Sequence, residues 1–371
     1  METKKYRFDE VTINFDKKRI PLSSAQREKR QGTFRYYGAQ GVIDHVDDYI
    51  FDGTYLLIAE DGENLKSKKQ NIAQVVDGQF WVNNHAHIVQ GNAQCDTRFL
   101  CYLINSMDLS GYVTGSAQPK LSQANLNAVT LSLPTLAEQK RIVEYLYMLD
   151  LKIDVNRQIN DNLQQQADTL FSSLYDRSNT EVRFTDLIQI LGGGTPKTGE
   201  NTYWNGNIAF FTPKDVGIPY TLITEKTISK EGLSHCNSRL YPVNTVFVTA
   251  RGTVGKVGMS GVPMAMNQSC YALVGKETHQ LLVYFYTLKA VDRLKHKASG
   301  AVFDAITTRD FESEQIMKLS DDDATAFLRV AEPMFQEVLN NNIENLRLST
   351  LRDSLLPKLM SGEIDVSAVQ L

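Results

Sequence analysis

Apolar positions recur at intervals of mostly three and four residues along one stretch of this chain: Ile142, Leu146, Leu149, Ile153, Ile159, Leu163, Leu170 and Leu174. That spacing lines one stripe of a helix running from about Ala137 to Tyr175. A second stripe, Phe327, Ala331, Phe335, Leu339, Ile343, Leu346 and Leu355, predicts a matching helical region further on. Pro333 lacks an amide and crowds the preceding turn, so a short helix is expected to end near Glu332 and a long one to begin there, stopped by Pro357. A helix of about 40 residues spans roughly 60 Å, more than a globular half can support, so the two stripes are expected to pair as an antiparallel coiled coil. Asn156, Asn160, Asn342 and Asn345 fall near this seam, either as buried amides that fix register or as solvent-facing residues.

Outside the helices the pattern changes. Residues 1–134 and 178–320 hold short apolar runs, such as 49–58 and 245–250, punctuated by Gly, Pro, Asn and Asp, which suits strand-rich domains. Short helices are predicted at 98–105 and 280–294. The chain also repeats itself with a period of about 185 residues. Gly115, Leu121 and Leu126 match Gly300, Ile306 and Phe311, and each copy is followed by a strand-like alternation (Val129, Leu131, Leu133; Ile316, Leu319). Upstream, 57–62 resembles 247–252, and Asn84 with His85 resembles Asn267 with Gln268. The fold predicted is α+β: two globular domains, 1–134 and 178–320, followed by helical regions 135–177 and 321–371, in a pseudo-twofold internal repeat.

Composition narrows the function. A chain of 371 residues with 42% hydrophobic and 22% charged residues is ordinary for a soluble protein. No stretch of about 18 apolar residues suggests a membrane span, and no export signal is visible, so a cytoplasmic location is expected. Cys95, Cys101, Cys236 and Cys270 form no CxxC pair, which points to reduced thiols in or near the cores. The net charge of −4 speaks against tight binding of nucleic acid by this chain alone, although residues 1–30 are rich in Lys and Arg while Asp44, Asp47, Asp48 and Asp52 crowd the next segment.

Catalytic motifs fail on spacing. Gly-Gly-Gly-Thr-Pro-Lys-Thr from Gly192 invites a phosphate-loop reading, but Pro196 stands where the final glycine must be and removes an amide the cradle uses. A methyltransferase would need a Pro-Pro motif, and the sequence has no Pro-Pro pair. Glu138, Gln139 and Lys140 give half of a nuclease motif at a helix start, which reads better as a solvated helix face. His85 and His87 alternate on a presumed strand and share a face, yet no further ligand completes a metal set, so they read as structural or DNA-contacting histidines.

The run Arg-Tyr-Tyr-Gly-Ala-Gln-Gly-Val-Ile-Asp from Arg35, with Tyr-Ile-Phe-Asp-Gly at 49–53, resembles the opening of target recognition domains in type I restriction-modification specificity subunits. In the second half, the run from Gly192, then Tyr203, Trp204, Asn205 and Ile208, and Thr-Pro-Lys-Asp at 212–215 resemble another opening found in that family. Leu-Pro-Thr-Leu-Ala-Glu-Gln-Lys-Arg-Ile-Val from Leu133 is similar to the start of its central helix, and Leu-Leu-Pro-Lys-Leu-Met-Ser-Gly-Glu-Ile from Leu355 to its ending. The resemblance covers essentially the whole chain. It implies a non-catalytic subunit whose two domains each read one half of a split, asymmetric site in double-stranded DNA, with paired helices as a ruler. It further implies two methyltransferase subunits and two restriction subunits as partners, with S-adenosylmethionine and ATP confined to them and no cofactor in this chain.

Sequence readout needs paired donors and acceptors, while phosphate contacts need cations and free amides. The candidates in the first half are Tyr36, Tyr37, Gln40, Asp61, Asn84, His85 and Lys120, each on a presumed loop or strand end. Those in the second half are Thr195, Lys197, Tyr203, Lys214, Arg251, Thr253, Lys256 and Gln268. Arg251 follows an apolar strand and precedes Gly252, which suits either a bidentate contact to guanine or a phosphate contact or loop closure. Two other readings stay open at this level: an autonomous DNA-binding regulator, which the net acidity disfavours, and a scaffold whose domains read nothing.

Overall fold

The computed structural model describes residues 2–67, 70–115, 118–217, 219–297 and 305–364. Its contacts gather into two units, Met1–Leu151 with Leu348–Leu371, and Lys152–Arg347. The division falls inside both long helices.

The first unit contains strands β1 (Lys4–Arg7), β2 (Thr12–Asn14), β3 (Gln31–Gly38), β4 (Gly41–Val46), β5 (Phe51–Ala59), β6 (Ala73–Val82), β7 (Ala86–Gly91) and β8 (Thr130–Leu133). Six of them form one sheet in the order β2-β7-β5-β6-β3-β4, antiparallel except where β3 runs parallel to β6. Both faces of its centre are covered, so β5 reads as a continuous apolar run: Leu57 packs with Phe80 and Ile88, while Leu56 and Ile58 face the helix Thr97–Ser106. That helix starts at Asp96, whose carboxylate accepts from the amides of Arg98 and Phe99. β1 and β8 pair as a separate ladder that brings Lys4 opposite Leu133.

The second unit contains β9 (Thr180–Arg183), β10 (Ile188–Gly192), β11 (Trp204–Phe211), β12 (Tyr220–Thr221), β13 (Lys226–Ile228), β14 (Val246–Thr249), β15 (Val257–Ser260), β16 (Met264–Met266), β17 (Cys270–Gly275) and β18 (Gln315–Lys318). It repeats the first pattern with one break. β6 pairs with β5 along most of its length and with β3 at its end, whereas here β15 takes β14 and β16 takes β11. Pro263 lies between β15 and β16, where a residue without an amide interrupts a strand. β9 and β18 close this globular part as β1 and β8 close the other.

The internal repeat is legible in the helix caps. Ser122 and Thr307, 185 positions apart, each accept the amide three residues on, from Asn125 and Asp310. Thr135 with Glu138, and Ser320 with Asp323, cap the two long helices in the same way. Leu121, Leu126, Ile306 and Phe311 are all buried as matched; Gly300 lies outside the described residues. The helices predicted at 98–105 and 280–294 are Thr97–Ser106 and Gln280–Lys297. The cysteines are free thiols, with Cys95 and Cys270 buried.

The first long helix, Leu136–Arg177, has 42 residues, and the second, Asp321–Ser361, has 41. The second corrects the expected break, for it runs unbroken through Pro333 and past Pro357. Both prolines are exposed, as are Arg329 and Asp353 four residues before them, so each carbonyl that loses its amide partner faces water. The neighbouring turn is held by Phe327, Ala331, Phe335 and Val338, all buried. Gln139 is also corrected: it is fully buried, donating to the carbonyls of Gln94 and Pro134 and accepting from the Asp96 amide, so it ties the helix start to the cap of Thr97–Ser106.

Within the second unit the long helices run antiparallel, joined by amides. Asn156 donates to Glu344 (2.7 Å) and Asn345 (2.9 Å), Asn160 donates to Asn342 (3.0 Å), and Asn341 donates back to Asn160 (2.9 Å). Ile159, assigned to the seam from its spacing, is instead exposed, because the amides at 156 and 160 occupy that face. Phe171 stacks on Phe285 and meets Phe327, which fixes both helices against Gln280–Lys297. In the first unit Arg352 pairs with Asp150 at 2.7 Å, and Asp150 also accepts from Tyr102. Since Pro333 is exposed in a helical interior, Pro333→Ala restores one backbone hydrogen bond without touching the seam. Chemical denaturation of the full chain is expected to show a gain of about 1–3 kcal/mol.

Candidate nucleic-acid interface

Three loops meet at the same edge of each sheet, and the same backbone bonds hold them. In the first unit the Glu60 amide donates to the His85 carbonyl, the Leu121 amide to the Glu60 carbonyl, and the Asn83 amide to the Tyr37 carbonyl. In the second unit Ala250, Ile306 and Asn267 make the corresponding bonds to Ser269, Ala250 and Phe211. The turn between the last two strands is locked identically: the Asn83 carboxamide oxygen accepts the His85 amide (2.8 Å), and that of Asn267 accepts the Ser269 amide (3.0 Å). Isolated bridges join Asp61 to Lys120 and Arg251 to Ala305. Gly62 and Gly252 follow with φ of +122° and +82°, a conformation that favours glycine at this strand end.

This frame sets the correspondence between halves. Asp61 takes the place of Arg251, as the sequence match had it, but Asn84 takes the place of Gln268 and His85 that of Ser269. The sequence match of Asn84 and His85 to Asn267 and Gln268 is therefore off by one residue, since the asparagines whose side chains close the turn are Asn83 and Asn267. Counting on from Tyr37 and Phe211 puts Gln40 and Lys214 in the same turn.

In the first unit the frame gathers Gln40, Asp61, Asn84, His85 and Lys120. His85 Nδ1 lies 2.7 Å from Asp61, Gln40 donates to Asn64, and Lys120 pairs with Glu60 at 3.3 Å. Tyr36 and Tyr37, expected on a loop or strand end, are buried within β3 instead. The sheet is covered on both faces, so neighbouring residues pointing opposite ways are both enclosed: Tyr36 with Val46 and Trp81, Tyr37 with Phe51 and Phe80. Sequence reasoning missed the support beneath. Arg19 donates to Glu60 (3.1 Å) and to the Ala86 carbonyl (2.7 Å), and reaches the Asn84 carbonyl at 3.4 Å. These partners lie 41 to 67 residues from Arg19, beyond any local pattern.

In the second unit a cleft of about 500 Å³ is lined by Lys214, Lys226, Arg251 and Thr253 together with Thr212, Asn267 and Ser269. Thr195 donates to Gln268 beside it. The glycines before Thr195 have a steric role: a side chain on Gly193 would collide with the Asn267 carbonyl oxygen, and one on Gly194 with the Asn237 backbone. Lys214 is 81% exposed, and Lys256 lies on the same β14–β15 loop as Arg251. Among the described residues the Arg251 guanidinium has no hydrogen-bond or ion-pair partner. Lys197 is exposed, its carbonyl accepting from Trp204, while Tyr203 stacks on His235 at 4.9 Å and is not among the residues lining the cleft.

His87 is a structural residue. Its Nδ1 lies 2.7 Å from Asp16 and its Nε2 2.8 Å from the Leu121 carbonyl, so both ring nitrogens face acceptors and only the imidazolium satisfies both. His85, in the turn before β7, does not share this site. Among the described residues no cluster of His, Cys, Asp and Glu is placed to hold a metal ion.

The fold is that of a known crystal structure, the S subunit of a type I restriction-modification system from M. genitalium. That likeness covers 97% of this chain and 96% of the other with a TM-score of 0.64 at 12% identity. Residues 2–165 and 177–318 match the family described as the type I restriction modification DNA specificity domain, and the chain belongs to that family. A putative type I restriction enzyme specificity subunit of Haemophilus influenzae is 35% identical over 138 residues, which span 37% of this chain and 35% of the relative. The HindI type I restriction enzyme specificity subunit of the same organism is 23% identical over 84% of both chains.

Burial alone would lower the His87 pKa, but the bonds to Asp16 and Leu121 and the charges of Asp16 and Glu60 hold it above the ordinary histidine value. For Asp16, burial pushes upward, yet His87, the Ile88 amide and Arg19 keep it below the usual carboxylate range. The pair therefore contributes fully in weakly acidic solution. Its contribution falls as rising pH passes through the raised His87 value, and on the acid side as Asp16 takes up a proton. The Ile88 amide donates to Asp16, so its hydrogen-exchange protection, corrected for intrinsic rates, is expected to decline from about pH 6.5 upward and to lose that pH dependence in His87→Gln.

Proposed function

We propose that this chain is the DNA sequence-recognition subunit of a type I restriction-modification complex. The observation that carries the reading is the pair of equivalent loop frames, one in each unit, built from the same backbone bonds and furnished with different side chains. Each globular part, 1–134 and 178–320, reads one half of a split site in double-stranded DNA. Gln40, Asp61, Asn84, His85 and Lys120 act in the first half, and Thr195, Lys197, Lys214, Arg251, Thr253, Lys256 and Gln268 in the second. The unlike side chains make the site asymmetric. Tyr36 and Tyr37 serve as core, and Tyr203 buttresses its segment through His235.

The helical regions 135–177 and 321–371 set the gap between half-sites and dock two methyltransferase subunits, with two restriction subunits joining the full complex. Methyl transfer, cleavage and ATP use belong to those partners along with their S-adenosylmethionine and ATP, and this chain needs no cofactor. The acidic net charge fits a reader that works beside subunits supplying phosphate-facing cations. No helix among the described residues is long and apolar enough to cross a membrane, which accords with action on cytoplasmic DNA.

The test is methylation by the full chain with its methyltransferase partner, with modified positions mapped by sequencing. Modification is expected at one split, asymmetric motif and is lost when this chain is omitted. Tight sequence-dependent binding by the chain alone would favour an autonomous regulator, and modification without sequence dependence would leave a scaffold.

A further inference from the structure

The two frames place corresponding residues at corresponding backbone positions, so their chemistry can be compared position by position. At the strand end the first unit has Asp61 and the second Arg251. In the turn behind it the first unit has His85, and at that place the second has Ser269. A carboxylate carries no hydrogen to give, so the 2.7 Å contact of Asp61 with His85 is a bond donated by Nδ1. In the neutral ring Nε2 is then left as an acceptor. The pair is open to its surroundings, with His85 51% and Asp61 23% exposed. With the ring neutral, the pair offers two acceptors, Nε2 of His85 and the second oxygen of Asp61.

The second unit offers the reverse. Arg251 has five donors and no acceptor, its guanidinium is free of partners among the described residues, and the same cleft is lined by Lys214 and Lys226 with Glu225, which lies 3.9 Å from Lys214. Base edges in the major groove divide along the same line. Guanine presents two acceptors, O6 and N7; adenine presents an amino donor beside its N7 acceptor, and cytosine an amino donor alone. We infer that the residue at the strand-end position of this frame sets the base read in each half-site: Arg251 selects a guanine in one half, and Asp61 with His85 selects an amino-bearing base, adenine or cytosine, in the other. An acceptor pair at the first position repels guanine O6 and N7, and an all-donor guanidinium at the second leaves an amino group without an acceptor. The frame thus imposes unlike half-sites through a single exchange of charge. The inference rests on the recognition role proposed above.

The experiment compares wild type, Arg251→Gln and Asp61→Asn, each as the full chain with its methyltransferase partner, by mapping methylation across genomic DNA. Arg251→Gln is expected to relax selection for a G·C pair at one position of one half-site by about tenfold or more while the other half-site is unchanged. Asp61→Asn is expected to relax selection for an adenine or cytosine in the opposite half-site by a similar factor. His85→Ala reports on that position without altering Asp61, so an Asp61→Asn chain that fails to fold leaves the first half testable. Arg251→Gln removes no contact of the described fold.

Uniform loss of methylation in Arg251→Gln with the motif intact would make Arg251 a phosphate contact and overturn the inference. So would relaxation of both variants in the same half-site, or of an A·T pair by Arg251→Gln. In each of those cases the wild-type split motif still supports the recognition role. A wild-type complex that methylates without any motif would overturn that role itself.

Discussion

A helix of some forty residues keeps its shape in water only through what covers its apolar stripe, and here part of that cover is polar. Phe171, Phe327 and Phe335 would tolerate a small slide of one helix along the other, because apolar contact is not directional. The amides would not. Asn156 meets Glu344 and Asn345, and Asn160 meets Asn341 and Asn342, in one register only; a slip leaves several buried amide groups without partners. The helices are then tied to their globular parts by specific bonds, Gln139 to the loop before Thr97–Ser106 in the first unit and Phe171 to Gln280–Lys297 in the second.

The same division between directional and permissive contacts runs through the loop frames. Backbone amides and carbonyls, with Asn83 and Asn267, fix where the loops meet. The side chains at their tips are free to differ because none of those bonds depends on them. In the first unit the tips also rest on enclosed charge, the buried Asp16 and His87 with the partly buried Arg19 and Glu60, while in the second the position of Glu60 is taken by Ala250 and the loops lean on glycines packed against backbone. Two unrelated supports hold one geometry.

Much of this was legible in the sequence where the signal is local. Asp61 and Arg251 each follow an apolar strand and precede a glycine, and the two helical stripes announce themselves by spacing. Tyr36 and Tyr37 misled because a strand buried on both faces loses its alternation, so adjacent aromatics look like a loop motif. Pro333 and Pro357 misled because the cost of a helical proline depends on whether the orphaned carbonyl can reach water, which only three dimensions reveal. Arg19 and Gln139 were missed or misread because their partners are remote in sequence.

The ladders β1 with β8 and β9 with β18 have a consequence of their own. They bring the two ends of each globular part side by side, Lys4 opposite Leu133 and Thr180 opposite Lys318. Each part is thus a closed loop of chain that leaves and rejoins the rest at one place. Its interior can lengthen, shorten or be exchanged for a different sequence through two crossovers at short flanking segments, provided the new interior keeps the residues that meet the helices, Gln94, Asp96 and Tyr102 in one part and Phe285 in the other. In genetic terms, each half is a cassette: recombination can replace its vocabulary without rewriting the grammar that joins them.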